Sequence, residues 1–346
     1  MGAQITNSQI ELFSTCPPAG DAGGDGYLTQ VAKVSEWSER AGCRGMLIYS
    51  DNGQLDPWQI AHLVVQHTKE LCPLIAVQPI YMHPYAAAKA VATFAHLYKR
   101  RIYLNMVAGG FKNDLVALND TTPHDSRYER LVEYTEIIQR LLRGGEPVSF
   151  AGKFYKVENL KLFPTCPPEL FPGIFISGSS DAGLAAARLV HATAIKYPKP
   201  LNDYKDFAGQ TELDSGIRIG IISRERGGEA WADAHKRFPE DRKGQLTHQL
   251  AMKVSDSVWH KQLSELAESK EQNPYWLVPF ENYKTMCPYL VGDYNDVGSE
   301  LDGYISLGYR TFITDIPEDP EELQHIGRAF HRAMEISKCQ SYSKTG

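Results

Sequence analysis

The stretch 174-IFISGSSDAGLAAA-187 runs an apolar strand end, Phe175 and Ile176, into the small residues Ser177, Gly178, Ser179 and Ser180, and a helix then opens at Asp181. Small side chains let the backbone turn tightly, and the first amides of the helix have no intrahelical acceptor. Those amides, the Ser179 and Ser180 hydroxyls and the positive end of the helix dipole suit an anion, phosphate best of all. A plain strand-to-helix turn, with Ser and Asp as caps, accounts for the same residues without a ligand.

The strand–turn–helix unit repeats in both directions. Upstream, strands are predicted at Ile10–Phe13, Gly45–Tyr49, Pro73–Ile80 and Arg101–Val107, with helices from Tyr27, Pro57, Tyr85 and Tyr128. Leu131, Tyr134, Ile138, Leu141 and Leu142 form the inner face of the last helix. A small hairpin is predicted over Pro147–Val157. Downstream, strands are predicted at Ala192–Tyr197, Ile217–Ser223 and Tyr309–Thr314, with helices at Gly228–Phe238 and Pro320–Ile336. Eight mostly apolar strands, each followed by helical sequence, specify an α/β fold of the (β/α)8 barrel type over the single unit 1–346. The segment 239–290 fits no repeat. Placed after strand seven, it overhangs the C-terminal mouth as a lid, or else serves as a packing or dimer element.

Composition narrows the function. Apolar residues make up 42% and charged residues 23% of the 346, which describes a soluble globular protein. A formal charge of -6 argues against a nucleic-acid or anionic-membrane partner, and no apolar run is long enough to span a bilayer. The six scattered cysteines lack metal-ligand spacing, so reduced thiols, a cytoplasmic setting and no metal are expected. The glycines between Cys16 and Gly26 do not form GxGxxG, and no Ser-His-Asp order, P-loop lysine or HExxH motif is present.

In a barrel the chemistry sits at the C-terminal strand ends. His124 and Tyr128, four apart at a helix start, can point into one pocket and donate to phosphate oxygens; capping and core packing are the alternative. Asn105 in an apolar strand needs a partner, either a polar ligand or a neighbouring loop. Arg218 and Arg224 bracket strand seven as anion-holding candidates, with surface salt bridging the alternative, and His83 before Pro84 is an acid–base candidate or else a packed, satisfied loop residue.

Together, 75-IAVQPIYMHP-84, 102-IYLNMVAGG-110, the block from His124 to Leu160, 174-IFISGSSDAGLAAA-187, 217-IRIGIISRERGGEAW-231 and 291-VGDYNDVGSELDGYISLGYRTFIT-314 resemble the bacterial luciferase-like flavin monooxygenases, most of all the alkanesulfonate monooxygenase branch. The resemblance implies FMN, its phosphate at Gly178, Ser179 and Ser180 with His124 and Tyr128, its ring over strands three and four near Ala76, Gln78 and Asn105. It implies a non-prolyl cis peptide around Ala76-Val77. It also implies reduced FMN from a separate NAD(P)H flavin reductase, O2 as cosubstrate, and a homodimer or homotetramer. At the substrate end the sequence departs: Gln54 stands where the sulfonate branch carries Cys, Gly220 where it carries His, and Ala108 where it carries Thr. Gln54, His83 and Arg218 are then the candidate catalytic residues. Arg218 alone makes a thin clamp for a sulfonate, so a larger or less charged substrate is preferred, such as an amino-acid or acyl group tethered to a carrier. Hydride transfer with a deazaflavin, or a flavin-free partner subunit, would use the same fold.

Overall fold

The computed structural model describes residues 10–19, 25–109, 111–204, 213–254, 258–267 and 274–343. In chain order, β1 (Glu11–Thr15) leads to α1 (Asp25–Arg40), β2 (Gly45–Ile48) to α2 (Pro57–His67), and β3 (Cys72–Val77) to α3 (Pro84–Tyr98). β4 (Tyr103–Met106) leads through the short α4 (Lys112–Ala117) to α5 (His124–Arg143). A hairpin of β5 (Val148–Ala151) and β6 (Lys156–Leu160) precedes β7 (Gly173–Ser177), α6 (Asp181–Leu189), β8 (Thr193–Lys196) and β9 (Ser215–Arg218). Next come β10 (Gly220–Arg224), α7 (Gly227–Arg237), α8 (Arg242–Val254), α9 (Val258–Ala267), β11 (Tyr275–Trp276) and α10 (Val278–Glu281). β12 (Tyr289–Asp293), α11 (Tyr294–Ser306), β13 (Thr311–Ile313) and α12 (Pro320–Ser343) complete the order.

The closed barrel runs β1-β13-β9-β8-β7-β4-β3-β2 with parallel pairing, as in a (β/α)8 fold. Side chains alternate across a strand, so every second residue points inward. Phe13, Leu47, Leu74, Tyr103, Phe175, Ile195 and Ile313 belong to one buried cluster, with the Phe13 ring edge-on to Tyr103 and Phe175 at 5.1 and 5.4 Å. Gly173 makes room for Tyr103, whose ring a Cβ would strike. Two residues further along the same strands stand Tyr49, Ala76, Asn105, Ser177, Tyr197 and Asp315, and Arg218 stands two beyond Gly216. All seven line a cavity of about 320 Å³. One inward layer plugs the barrel, and the next is the floor of the cavity.

Several local expectations need correction. Ile217–Ser223 is not one strand: the chain leaves the barrel at Ile219 and continues as β10 in a second sheet, β10-β12-β11. Gly220 permits the exchange, because a Cβ there would overlap the Tyr289 ring, and its N–H donates to Pro288 O at 2.8 Å. The strand β12 and helix α11 that support this sheet are additions to the eightfold count. Between β4 and α5 the chain forms the short α4, and the segment 239–290 contains α8 and α9 among its described residues. The Ala76-Val77 peptide is trans: β3 pairs regularly with β4 through Val77↔Met106, and Phe163-Pro164 is the cis bond among the described residues. Gly20, Gly23, Gly24 and Gly110 lie outside the described residues.

Candidate active site

The β7–α6 turn forms one side of the cavity. Gly178, Ser179 and Ser180 line it, together with His124 and Tyr128 from the start of α5. The two hydroxyls have different tasks. Ser180 caps α6, its Oγ accepting from Gly183 N–H at 3.1 Å. Ser179 Oγ is buried with no hydrogen-bond partner. An unpaired buried hydroxyl beside a helix N-terminus costs free energy until an acceptor or donor arrives. Gly178 has φ +155°, and a Cβ on it would overlap Tyr128 Oη; a Cβ on Gly183 would lie 3.2 Å from the Tyr128 ring. Both glycines therefore let the phenol lie against the turn. His124 packs edge-on to Tyr128 at 5.3 Å, and its Nδ1 meets Asp125 Oδ1 at 2.7 Å.

Ala76 and Asn105, neighbours in the β3–β4 register, form the next part of the floor. The partner that Asn105 requires is Ser177, whose Oγ donates to Asn105 Oδ1 at 2.7 Å from the adjacent strand. Gln78 does not line the cavity. Its Nε2 donates to Ser50 O at 3.3 Å and so holds the loop that carries Tyr49, Asp51 and Gln54 to the wall. Gln54 is brought to the site and accepts at Oε1 from Ala19 N–H at 3.1 Å. His83 lies elsewhere: it caps α3, Nδ1 accepting from Tyr85 N–H at 3.2 Å, with its ring against Tyr155. Arg224 is also outside the cavity, paired with Asp233 at 2.8 Å.

Arg218 is enclosed at the far side. Burial works against its charge, but Tyr197, Cys287, Asp315 and Tyr49 around it hold the guanidinium pKa above its ordinary value. Arg218 Nε is buried without a partner. Burial in turn pushes the Tyr49 phenol up to about 12, with Arg218 opposing. Asp315 accepts from Tyr289 Oη at 2.8 Å. A carboxylate so near Arg218 offsets part of its charge, leaving a polar rather than strongly cationic pocket end. Tyr289, whose ring faces Gly220, occupies the space a larger residue at 220 would need.

The second half of the chain supplies the roof. Val258 and Trp259 of α9 and Lys284, Thr285 and Met286 after α10 line the cavity. Asp315 and Trp259 were not singled out from sequence. Asp315 was accessible to the period-two argument, since it follows the inward Ile313 by two. Trp259 carries no such signal, because an aromatic on an amphipathic helix is equally a core residue.

The model of luciferase-like monooxygenases matches residues 10–311. The chain belongs to the luciferase-like monooxygenase family. A member from Niallia circulans, 4-(gamma-L-glutamylamino)butanoyl-[BtrI acyl-carrier protein] monooxygenase BtrO, is 36% identical over 310 residues, covering 87% of this chain and 90% of its own. Among solved structures, the long-chain alkane monooxygenase LadA superposes with TM-score 0.73 at 16% identity, covering 96% of this chain and 92% of that one. The oxygenating constituent of 3,6-diketocamphane monooxygenase from Pseudomonas putida, solved with FMN, gives 0.67 at 14%, covering 94% and 96%. The expected family is thus found. The curated relative at 36% is named for an acyl-carrier substrate, not a sulfonate. Among the described residues no helix is long and apolar enough to cross a membrane, and no cluster of His, Cys, Asp and Glu could hold a metal.

Proposed function

We propose that this family member is an FMN-dependent monooxygenase acting on an acyl group carried by a carrier protein. The observation that carries the cofactor reading is Ser179 Oγ, buried and unpartnered beside the first turn of α6. Phosphate would satisfy that hydroxyl and the free amides of the turn, with Tyr128 and His124 alongside. Ala76 and Asn105 would lie under the ring. A cavity of about 320 Å³ is at the lower end of the usual range for small-molecule sites. Reduced FMN would supply electrons to O2 so that one oxygen atom enters the substrate.

The protein's own residues have three tasks in this reading. The turn and α5 hold the phosphate and so fix the ring's position. Trp259, Met286 and Val258 cover the cavity and exclude water, which makes the segment 239–290 a cover over one barrel unit. Arg218, Asp315, Tyr49 and Tyr197 present a buried polar end where substrate groups can be oriented, with Gln54 on the adjacent wall. The carrier-tethered substrate is supported by the 36% identity to the Niallia circulans enzyme over most of both chains. A separate NAD(P)H flavin reductase, a homodimeric or homotetrameric assembly and a cytoplasmic setting complete the proposal. Hydride transfer with a deazaflavin and a flavin-free partner subunit are the alternatives.

The test supplies reduced FMN, labelled O2 and a panel of acyl thioesters, with products read by mass spectrometry. One labelled oxygen per product is expected. Turnover without label, with reduced deazaflavin as the donor, would replace oxygenation by hydride transfer. No change in Trp or Tyr fluorescence on saturating with reduced FMN would remove the cofactor reading.

A further inference from the structure

We infer that the outward face of α8 is the docking surface for the acyl-carrier protein, an inference that rests on the carrier reading above. The helix sequence, RKGQLTHQLAMKV over Arg242–Val254, contains no acidic residue in a chain of net charge -6. Its inward face is committed. Gly244 fits against Asn282, whose carbonyl a Cβ would strike, and the buried His248 packs on Phe280 at 4.7 Å and His260 at 5.0 Å. That arrangement leaves Lys243, Leu246 and Leu250, spaced three and four apart, on the opposite face. Leu246 is 58% and Leu250 64% exposed. Two large apolar side chains one turn apart and open to water, beside cations, fit a contact surface better than a solvated one.

Position supports the same use. Phe280, under α8, lies 6.3 Å from the Trp259 ring, and Trp259 is cavity wall. α8 is therefore the outer layer of a roof whose inner layer covers the substrate. Asp241, just before the helix, is drawn inward: Oδ2 meets Lys284 Nζ at 2.7 Å and Oδ1 accepts from Gly244 N–H at 2.9 Å. The face thus presents Arg242 and Lys243 without a facing acid from its own cap.

A basic helix face with an apolar centre complements an acidic helix with an apolar stripe. A carrier protein whose attachment site lies beside such a helix would meet this face. Opposite potentials steer the encounter and set its register. A second copy of this chain is a poorer occupant, because a two-fold contact would set Arg242 and Lys243 against their own equivalents.

The experiment titrates a 15N-labelled, phosphopantetheinylated acyl-carrier protein, the BtrI carrier of the relative's reaction, with wild type and with K243E/L246S/L250S. All three positions are exposed, so the fold is retained, checked by circular dichroism and Tm. Expected are shifts on the carrier's acidic helix, affinity that weakens as salt rises from about 50 to 200 mM, and about tenfold weaker binding by the variant. In turnover, the variant's KM for the carrier thioester should rise about tenfold while the N-acetylcysteamine thioester of the same acyl group is processed within about twofold of wild type. Equal carrier affinity for wild type and variant overturns the proposal. So does a wild-type dimer that the variant dissociates, which would make the face a self-interface. If wild type binds no carrier the docking surface is lost, and turnover of the small thioester then decides separately whether the monooxygenase reading stands.

Discussion

The indole of Trp259 lies on the ring of Tyr197 with 4.0 Å between centroids and 15° between planes. Tyr197 follows β8 of the barrel and Trp259 belongs to α9 of the inserted segment, and both line the cavity. The stack thus joins the inserted segment to the barrel at the cavity wall. Such a pair contributes about 0.5–1.5 kcal/mol beyond its buried area. Trp259→Ala should lower stability modestly and open the cavity to water. The measurable consequence is uncoupling: more reduced flavin consumed per oxygenated product. Unchanged coupling would mean that water exclusion resides elsewhere.

Ser179 offers a graded test of the phosphate cradle. In the proposed complex, Ser179→Ala would remove the one hydrogen bond its hydroxyl gives the phosphate, about 1 kcal/mol, so reduced FMN should bind roughly fivefold more weakly. Ser179→Asp sets a like charge against the phosphate and should cost several kcal/mol, roughly a hundredfold or more. Because Ser180 and not Ser179 caps α6, neither change should move Tm of the flavin-free protein much. Fluorescence titration and a thermal melt separate the two effects.

Gly178 is the complementary case. Alanine there meets Tyr128 Oη and must also adopt φ +155°, a conformation that costs a side-chain-bearing residue on the order of 1–3 kcal/mol. Gly178→Ala should therefore lower both Tm and FMN affinity. A melt with and without FMN should show reduced stabilisation by the ligand.

Arg237 and Glu322 form a buried pair, Nη1 to Oε1 at 2.5 Å, that ties α7 to α12. Arg237 Nη2 also donates to Ile316 O at 2.6 Å. Burial raises the Glu322 carboxyl to about 6, with Arg237 opposing that rise. Arg237→Met would leave a buried acid unpaired and should destabilise by about 3–5 kcal/mol in chemical denaturation. Arg237→Met/Glu322→Leu should recover much of the loss, since it removes the orphan charge.

His260 predicts an acid limb in stability. Burial, reinforced by His248, lowers its pKa to about 4 from 6.5. Between those values the unfolded chain binds a proton that the folded chain refuses, so stability is full above pH 6.5 and falls as pH drops toward 4. His260→Leu should flatten the dependence of Tm on pH in that window, leaving Tm near pH 7.5 little changed. An equal acid slope in the variant would assign the sensitivity to other groups.

Much of this site was written in local sequence. The β7–α6 turn, the His124–Tyr128 spacing and Asn105 are legible because strand ends and helix starts follow short-range rules, and the barrel repeat brings strand ends to one mouth. Asp315 was within the same rule. His83 also follows a strand, but Pro84 begins α3 there and His83 caps that helix instead of lining the cavity.

By itself, then, the sequence determined the eight apolar strands, the inward period of two and the small-residue turn, all set by interactions between near neighbours in the chain. Tertiary structure alone decided that Gly220 hands the chain to a second sheet, that Tyr289 fills the space beside it, and that Trp259 closes on Tyr197. Those contacts join residues separated by 62 positions (197 to 259) and 69 positions (220 to 289). Packing between such distant segments depends on complementary volumes, which no local period encodes.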